Sequence, residues 1–106
     1  MNPDYESVQA AAERIGPFIN HTPVITSEKL DIIAGCSLFF KCENLQKAGA
    51  FKSRGAVNAI MSLGAPALAK GVATHSSGNH GAALARAAGL KNTTAYIVVP
   101  DNAKQV

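Results

Sequence analysis

The sequence predicts an α/β fold that contains parallel strands. An alanine-rich helical segment at residues 79–88 lies between a short strand at 72–74 and a fully apolar strand at 95–99. A strand, a helix and a second strand joined over this distance form a βαβ unit, in which the two strands are parallel. The second strand has no polar alternation, so we expect cover on both of its faces. With 106 residues, 47% apolar and 16% charged, the chain is typical of one globular domain or of a piece of a larger protein.

Two helices are predicted in the N-terminal part. Residues 5–15 form an amphipathic pattern that Gly16-Pro17 ends. A second, shorter helix follows Thr26 or Ser27, either of which can cap it, and stops at Gly35. The side chains expected to face inward from these helices are Val8, Ala11, Ala12, Ile15, Leu30, Ile33 and Ala34.

The next segment combines a strand, a polar loop and a helix. The strand is predicted at residues 37–42 and the loop at 43–49. The helix is predicted at residues 53–63, because its apolar side chains recur at helical spacing. Those expected to face inward are Val57, Ile60 and Met61.

The positive charge of the chain is unevenly distributed. The net charge of +3 divides into −3 for residues 1–40, +3 for residues 41–54 and +3 for residues 55–106. Both polar motifs described below lie in the basic part, which favours an anionic ligand. The basic residues are scattered and no aromatic residues interleave with them, which disfavours nucleic-acid binding.

Membrane and metal sites are not expected. No apolar run approaches the roughly 18–20 residues of a membrane span, and the acidic start is not a signal peptide, so we expect a cytoplasmic protein. The three histidines, His21, His75 and His80, lack the spacing of a metal site.

Lys52 lies directly before the helix predicted from Ser53, in the motif AFKSRGA at residues 50–56. The positive end of that helix, the neighbouring Arg54 and partial burial behind Phe51 all disfavour the charged form of the amine. A neutral lysine amine can form an imine with an aldehyde cofactor. Taken alone, an ordinary solvated lysine at a helix start is the simpler interpretation of this residue.

A second polar motif, THSSGNHG at residues 74–81, follows the short strand and opens the next helix. Backbone N–H groups and the positive end of that helix converge on one small volume, which suits an anion or an acceptor oxygen. Gly78 allows close approach, and the Asn79 amide can donate or accept a hydrogen bond. Capping of the helix by Ser77 or Asn79 is the alternative interpretation.

Four blocks of sequence, in this order, resemble the start of fold-type II pyridoxal-phosphate enzymes. Eukaryotic serine racemases are the nearest branch, with threonine dehydratases and threo-3-hydroxyaspartate ammonia-lyases close by. The blocks are LFFKCENLQK (38–47), AFKSRGA (50–56), THSSGNHG (74–81) and AYIVVP (95–100). The resemblance implies a tryptophan synthase β-like, three-layer αβα fold, truncated in this chain. Residues 1–66 would belong to the large cofactor domain, and residues 67–106 would begin the small Rossmann-like domain.

The resemblance also implies pyridoxal 5'-phosphate as the cofactor and a role for each matching residue. Lys52 would form the aldimine with the cofactor and act as acid and base on one face of the substrate's Cα. Ser77 would act on the opposite face. Phe51 would pack beside the cofactor ring, and Asn79 would hydrogen-bond the ring hydroxyl. The residues that would bind the substrate are Ser76, Ser77, Gly78, Asn79 and His80.

The implied activity is racemisation and β-elimination of serine or a related β-hydroxy amino acid, through a carbanion at Cα. The parent enzyme would be a homodimer. Mg²⁺ can accompany such an enzyme, with its ligands outside this chain. Ala48 stands where animal serine racemases have a threonine that helps to bind ATP, which leaves nucleotide activation open. The alternatives are a threonine or threo-3-hydroxyaspartate ammonia-lyase, and a catalytically incomplete fragment or splice product of such an enzyme.

Overall fold

The computed structural model describes residues 2–103. Met1 and residues 104–106, the last of the predicted second domain, lie outside the described residues. In chain order the described elements are α1 (Tyr5–Ile15), β1 (Val24–Ile25), α2 (Glu28–Ala34), β2 (Phe40–Lys41), α3 (Lys52–Met61), α4 (Ala65–Leu68), β3 (Val72–His75), α5 (Asn79–Gly89) and β4 (Ala95–Val98).

The predicted βαβ unit is confirmed. Strands β3 and β4 pair in parallel, with Val72 opposite Ala95 and His75 opposite Val98, and α5 is the crossover between them. Only one face of β4 is covered within the described chain, because Tyr96 and Val98 are 57% and 67% exposed. The expected cover on both faces is therefore not present among residues 2–103.

The core lies between α1, α3 and α5. Val57 and Ile60 of α3 are 0% and 1% exposed, which confirms their predicted inward position. Burial of a side chain of this size stabilises a fold by about 1.5–3 kcal/mol. On α5 the side chains in the same cluster are Ala83, Leu84 and Ala87, and the two alanines leave room for the helices to pack together. Because α3 lies in the first predicted domain and α5 in the second, this packing joins the two predicted domains.

The predicted helix boundaries in the N-terminal part are largely confirmed, and so is the burial of Ile15, which is 6% exposed, but other side chains predicted to face inward are exposed. Ser27 caps α2 by accepting the N–H of Leu30, and Gly35 ends the helix at φ 69°. However, Val8 is 58% exposed and Ile33 is 74% exposed. Helical spacing shows that apolar side chains share a face, but it does not show that another part of the chain covers that face.

The strand predicted at residues 37–42 is shorter in the structure. It is reduced to β2, which pairs in antiparallel fashion with β1, a strand that was not predicted. With two residues each, these strands lack the length from which alternation can be recognised.

Glu43 and Arg54 form an ion pair between the loop after β2 and the first turn of α3. Arg54 donates from Nε to Oε2 at 2.8 Å and from Nη2 to Oε1 at 2.7 Å, and the Thr22 hydroxyl donates to the same carboxylate. The hydrogen bonds from Arg54 lower the pKa of Glu43 to about 2 and raise the pKa of Arg54 itself. The pair therefore fixes the start of α3 to the preceding loop.

Gly81 allows the first turn of α5 to lie against the end of β3. A Cβ atom built at this position would lie 2.9 Å from the carbonyl oxygen of Ser76 and 3.2 Å from Cγ2 of Ile97. The first of these neighbours is backbone and cannot move without displacing the strand. Gly55, in the middle of α3, has nothing within 4 Å of the same position.

We expect Glu43 to make stability depend on pH. Its pKa in the folded chain, about 2, lies below its ordinary value of 4.5, so its contribution is present above about pH 5 and is lost as the pH falls towards 2. Glu43→Gln should lower the free energy of unfolding at pH 7 by about 1–2 kcal/mol, because Arg54 loses its charged partner while both side chains still reach solvent. Urea unfolding at pH 7 and pH 3 measures the difference. A variant that loses as much stability as the unmodified chain between these pH values would contradict the assignment.

We expect Gly81→Ala to lower the free energy of unfolding by about 1–3 kcal/mol, because the added methyl group forces α5 away from β3. Gly55→Ala is the matched control, since it makes the same change inside a helix without a close neighbour. It should raise the free energy of unfolding by about 0.5–1 kcal/mol. Thermal or urea unfolding of both variants provides the test, and equal effects at the two positions would refute the close approach at Gly81.

Candidate active site

Lys52 is the first residue of α3, and its side chain is exposed. Its Nζ lies 5.2 Å from the centroid of the Phe51 ring. Among residues 2–103, no side chain caps the N-terminus of this helix. The amine therefore stands at the positive end of α3, beside a flat aromatic surface.

A cleft of about 320 Å³ opens beside this lysine. Its lining residues are Phe51, Lys52, Arg54, Gly55, Ala56 and His80. Four of them belong to the first half of α3, Phe51 is the residue before it, and His80 comes from the first turn of α5. The packing of α3 on α5 thus brings the lysine motif (residues 50–56) and the serine motif (residues 74–81) to the same cleft.

The serine loop, residues 76–78, lies between the end of β3 and the start of α5. The N–H of Ser76 donates to the carbonyl of Val98 at 3.0 Å, which fixes the loop to the neighbouring strand. Gly78 is the N-cap residue of α5, and in the described part of the chain the helix has no side-chain cap. The alternative interpretation, in which Ser77 or Asn79 caps this helix, is therefore wrong, and the first N–H groups of the helix are available to a ligand oxygen.

The loop borders a second, larger cavity of about 540 Å³ at the carboxyl ends of β3 and β4. Its polar lining residues are Ser76, Ser77, Asn79 and Asp101. Ser77 and Lys52 therefore line different cavities, and the first turn of α5 contributes to both, through Asn79 to the larger one and through His80 to the smaller one. The catalytic and binding roles of these residues stay predictions.

Arg54 lies differently from the sequence-based expectation. It was expected to act on the amine of Lys52, but its guanidinium is paired with Glu43. Its positive charge is therefore largely compensated. Glu43 is the one acidic residue between positions 41 and 54, and that isolation was the signal in the sequence for such a pair.

Within residues 2–103, no three His, Cys, Asp or Glu side chains lie together in a way that could hold a metal ion. None of the helices described there has the length and apolar character needed to cross a membrane.

Comparison with known proteins gives close relatives. Serine racemase of Arabidopsis thaliana is 61% identical over 100 residues, which cover 94% of this chain and 30% of that protein. A beta-hydroxyaspartate dehydratase of Paracoccus denitrificans is 52% identical over 103 residues, which cover 97% of this chain and 33% of the relative. The structure of maize serine racemase matches with a TM-score of 0.89 at 51% identity, over 94% of this chain and 31% of that one.

The chain thus spans about a third of the length of these relatives. The family model described as pyridoxal-phosphate dependent enzyme matches residues 15–106. Since this is most of the sequence, the chain belongs to the family of pyridoxal-phosphate dependent enzymes.

Proposed function

We propose that the chain provides the lysine and serine-loop part of an enzyme that racemises serine or a related β-hydroxy amino acid and eliminates its β-hydroxyl group. The main observation behind the proposal is that Lys52 shares a cleft with His80, at the first turn of the helix that the serine loop opens. The relatives named serine racemase and beta-hydroxyaspartate dehydratase support the substrate class.

The residues of the cleft fit pyridoxal 5'-phosphate. An aldehyde needs an accessible amine, and the side chain of Lys52 is exposed. A flat ring needs a flat neighbour, and the Phe51 ring lies 5.2 Å from the amine. When bound, the cofactor supplies an electron sink that stabilises negative charge on the substrate's Cα. Lys52 would hold it covalently, and Asn79 would donate to or accept from its ring hydroxyl.

The reaction requires proton transfer at Cα. Lys52 takes or returns the proton on one side, and Ser77 does so on the other. An acid and base on each side allows one group to remove the proton and the other to return it, which inverts the configuration. Both residues line cavities to which the first turn of α5 contributes, which supports a role for each of them near the same substrate.

The serine loop would bind the carboxylate of the amino acid. The first N–H groups of α5 point out of the helix, and the helix dipole favours a negative charge there. Ser76, Gly78 and His80 line the two cavities at this helix start and would complete the binding site. This arrangement orients Cα towards the two proton-transferring side chains.

Elimination of the β-hydroxyl group is the second activity in this proposal, and the dehydratase relative supports it. Removal of the Cα proton is followed by loss of the β-hydroxyl as water, and hydrolysis of the product gives a keto acid and ammonia. Threonine or 3-hydroxyaspartate could then be the substrate. The homodimeric assembly, the cytoplasmic location, a role for Mg²⁺ and the division into domains at residue 66 belong to the same proposal.

We expect selective attachment of the cofactor to Lys52. Stoichiometric pyridoxal phosphate followed by borohydride reduction should label this residue above the other lysines, because the cleft retains the ring next to the amine. Peptide mapping measures the distribution. Lys52→Ala should abolish the main adduct, whereas Lys70→Ala, the matched exposed lysine, should leave it unchanged. Label spread evenly over Lys29, Lys70 and Lys91 would show that the 106-residue chain does not assemble the site.

We expect Ser77→Ala to separate the two activities. In a chimera of this chain and the remaining length of the Arabidopsis relative, the variant should racemise L-serine at least about 100-fold more slowly, because one of the two proton-transferring groups is gone. Elimination of L-serine should persist, since Lys52 alone can remove its Cα proton. Chiral chromatography and keto-acid assays measure the two rates. Ser62→Ala, in the turn after α3, is the control, and equal loss of both activities in Ser77→Ala would contradict the assigned role.

A further inference from the structure

Gln46 is a buried polar side chain that the proposed chemistry does not use. It is 4% exposed. Its Oε1 accepts the backbone N–H of Asn20 at 2.8 Å, and its Nε2 donates to the backbone carbonyl of Asn20 at 2.8 Å. One side-chain amide thus satisfies both backbone groups of a residue 26 positions away, as a neighbouring strand would.

The same amide fixes the start of the loop that leads to α3. Its Oε1 also accepts the N–H of Lys47 at 2.9 Å. The side chain of Asn20 returns a hydrogen bond of 2.9 Å to the carbonyl of Leu45. The start of the loop is therefore hydrogen-bonded to both the backbone and the side chain of Asn20.

The far end of the loop is held as well. The hydroxyl of Ser53, which is fully buried, donates to the carbonyl of Lys47, and the N–H of Gly49 donates to the carbonyl of Gln46 at 2.8 Å. Between these bonds Ala48 has φ 55°, a conformation that alanine rarely adopts. Such a conformation persists where the surrounding contacts determine it.

Lys52 follows this loop directly. Its side chain is exposed, so the direction of the amine depends on the backbone from which it extends. The backbone segment that leads to Lys52 is fixed at its start by the hydrogen bonds of Gln46. We propose that Gln46 is a positioning residue, which locks the loop at residues 47–51 onto Asn20 and thereby holds Lys52 in the cleft. The inference rests on the proposed role of Lys52.

If the role of Gln46 were purely structural, its replacement would act only through overall stability. Gln46→Met distinguishes this from a positioning role, because it keeps the length of the side chain and leaves the N–H and carbonyl of Asn20 without their partners. Thr93→Val is the matched control, since it removes a side-chain hydrogen bond to the carbonyl of Leu68, outside the loop. Both variants are compared with the unmodified chain under conditions in which all three are folded.

Two readouts are measured on each chain. Hydrogen exchange of the amides at residues 47–53 should be at least about tenfold faster in Gln46→Met, because buried groups left unpaired favour local opening. After incubation with pyridoxal phosphate and borohydride reduction, the share of label on Lys52 should fall towards that of Lys29, Lys70 and Lys91, because the loop no longer holds the amine in the cleft. Thr93→Val should change neither.

An unchanged share of label and unchanged exchange in Gln46→Met would overturn the inference, and so would an equal loss of selectivity in Thr93→Val. If the unmodified chain itself does not label Lys52 selectively, the proposed function fails for this chain, and exchange alone decides the role of Gln46. Faster exchange confined to residues 47–53 then supports positioning, and unchanged exchange refutes it. If Gln46→Met does not fold, Gln46→Glu decides by the same two readouts, because it keeps an acceptor for the N–H groups of Asn20 and Lys47 and loses only the donor to the Asn20 carbonyl.

Discussion

The contact between α3 and α5 is the interaction on which the candidate site depends. Val57 and Ile60 of α3 belong to one buried cluster with Ala83, Leu84 and Ala87 of α5, and the small alanines leave room for the two helices to pack together so that the helix starts meet. Lys52 and His80 line the same cleft because each lies in the first turn of one of these two helices. Larger side chains at Ala83 or Ala87 would separate the helices and with them the two motifs.

Polar contacts determine how the start of α3 is oriented on that core. Apolar packing is non-directional, and it leaves the first turn of a helix free to fray. The ion pair between Glu43 and Arg54 fixes one side of this turn, and the hydrogen bonds of Gln46 and Ser53 fix the loop before it. Directional bonds of this kind position a reactive side chain more precisely than packing alone.

The elements were predictable from the sequence where the signal is local. Helical spacing, the cap at Ser27 and the stop at Gly35 depend on neighbouring residues, and the βαβ unit follows from the lengths of its three segments. The pairing of Gln46 with Asn20 was not predictable, because no pattern in the sequence marks a contact between two residues 26 positions apart. The predicted inward position of Ile33 was wrong for a related reason. Ile33 shares a face with other apolar side chains, yet nothing local shows what lies opposite, and it is 74% exposed.

Exposed apolar side chains at the end of β4 border the serine loop, because Val98 and Val99 line a cavity together with Ser76 and Ser77. Tyr96 and Val98 face outward from β4, whereas the residues that hold the cleft, Val57 and Ile60, are almost completely buried. The burial that fixes the Lys52 cleft lies between α3 and α5, whereas cover on the outer face of β4 would add burial next to the serine loop. Since Lys52 and the start of α5 are brought together by the packing of α3 on α5, the geometry of the Lys52 cleft is a property of residues 2–103 themselves.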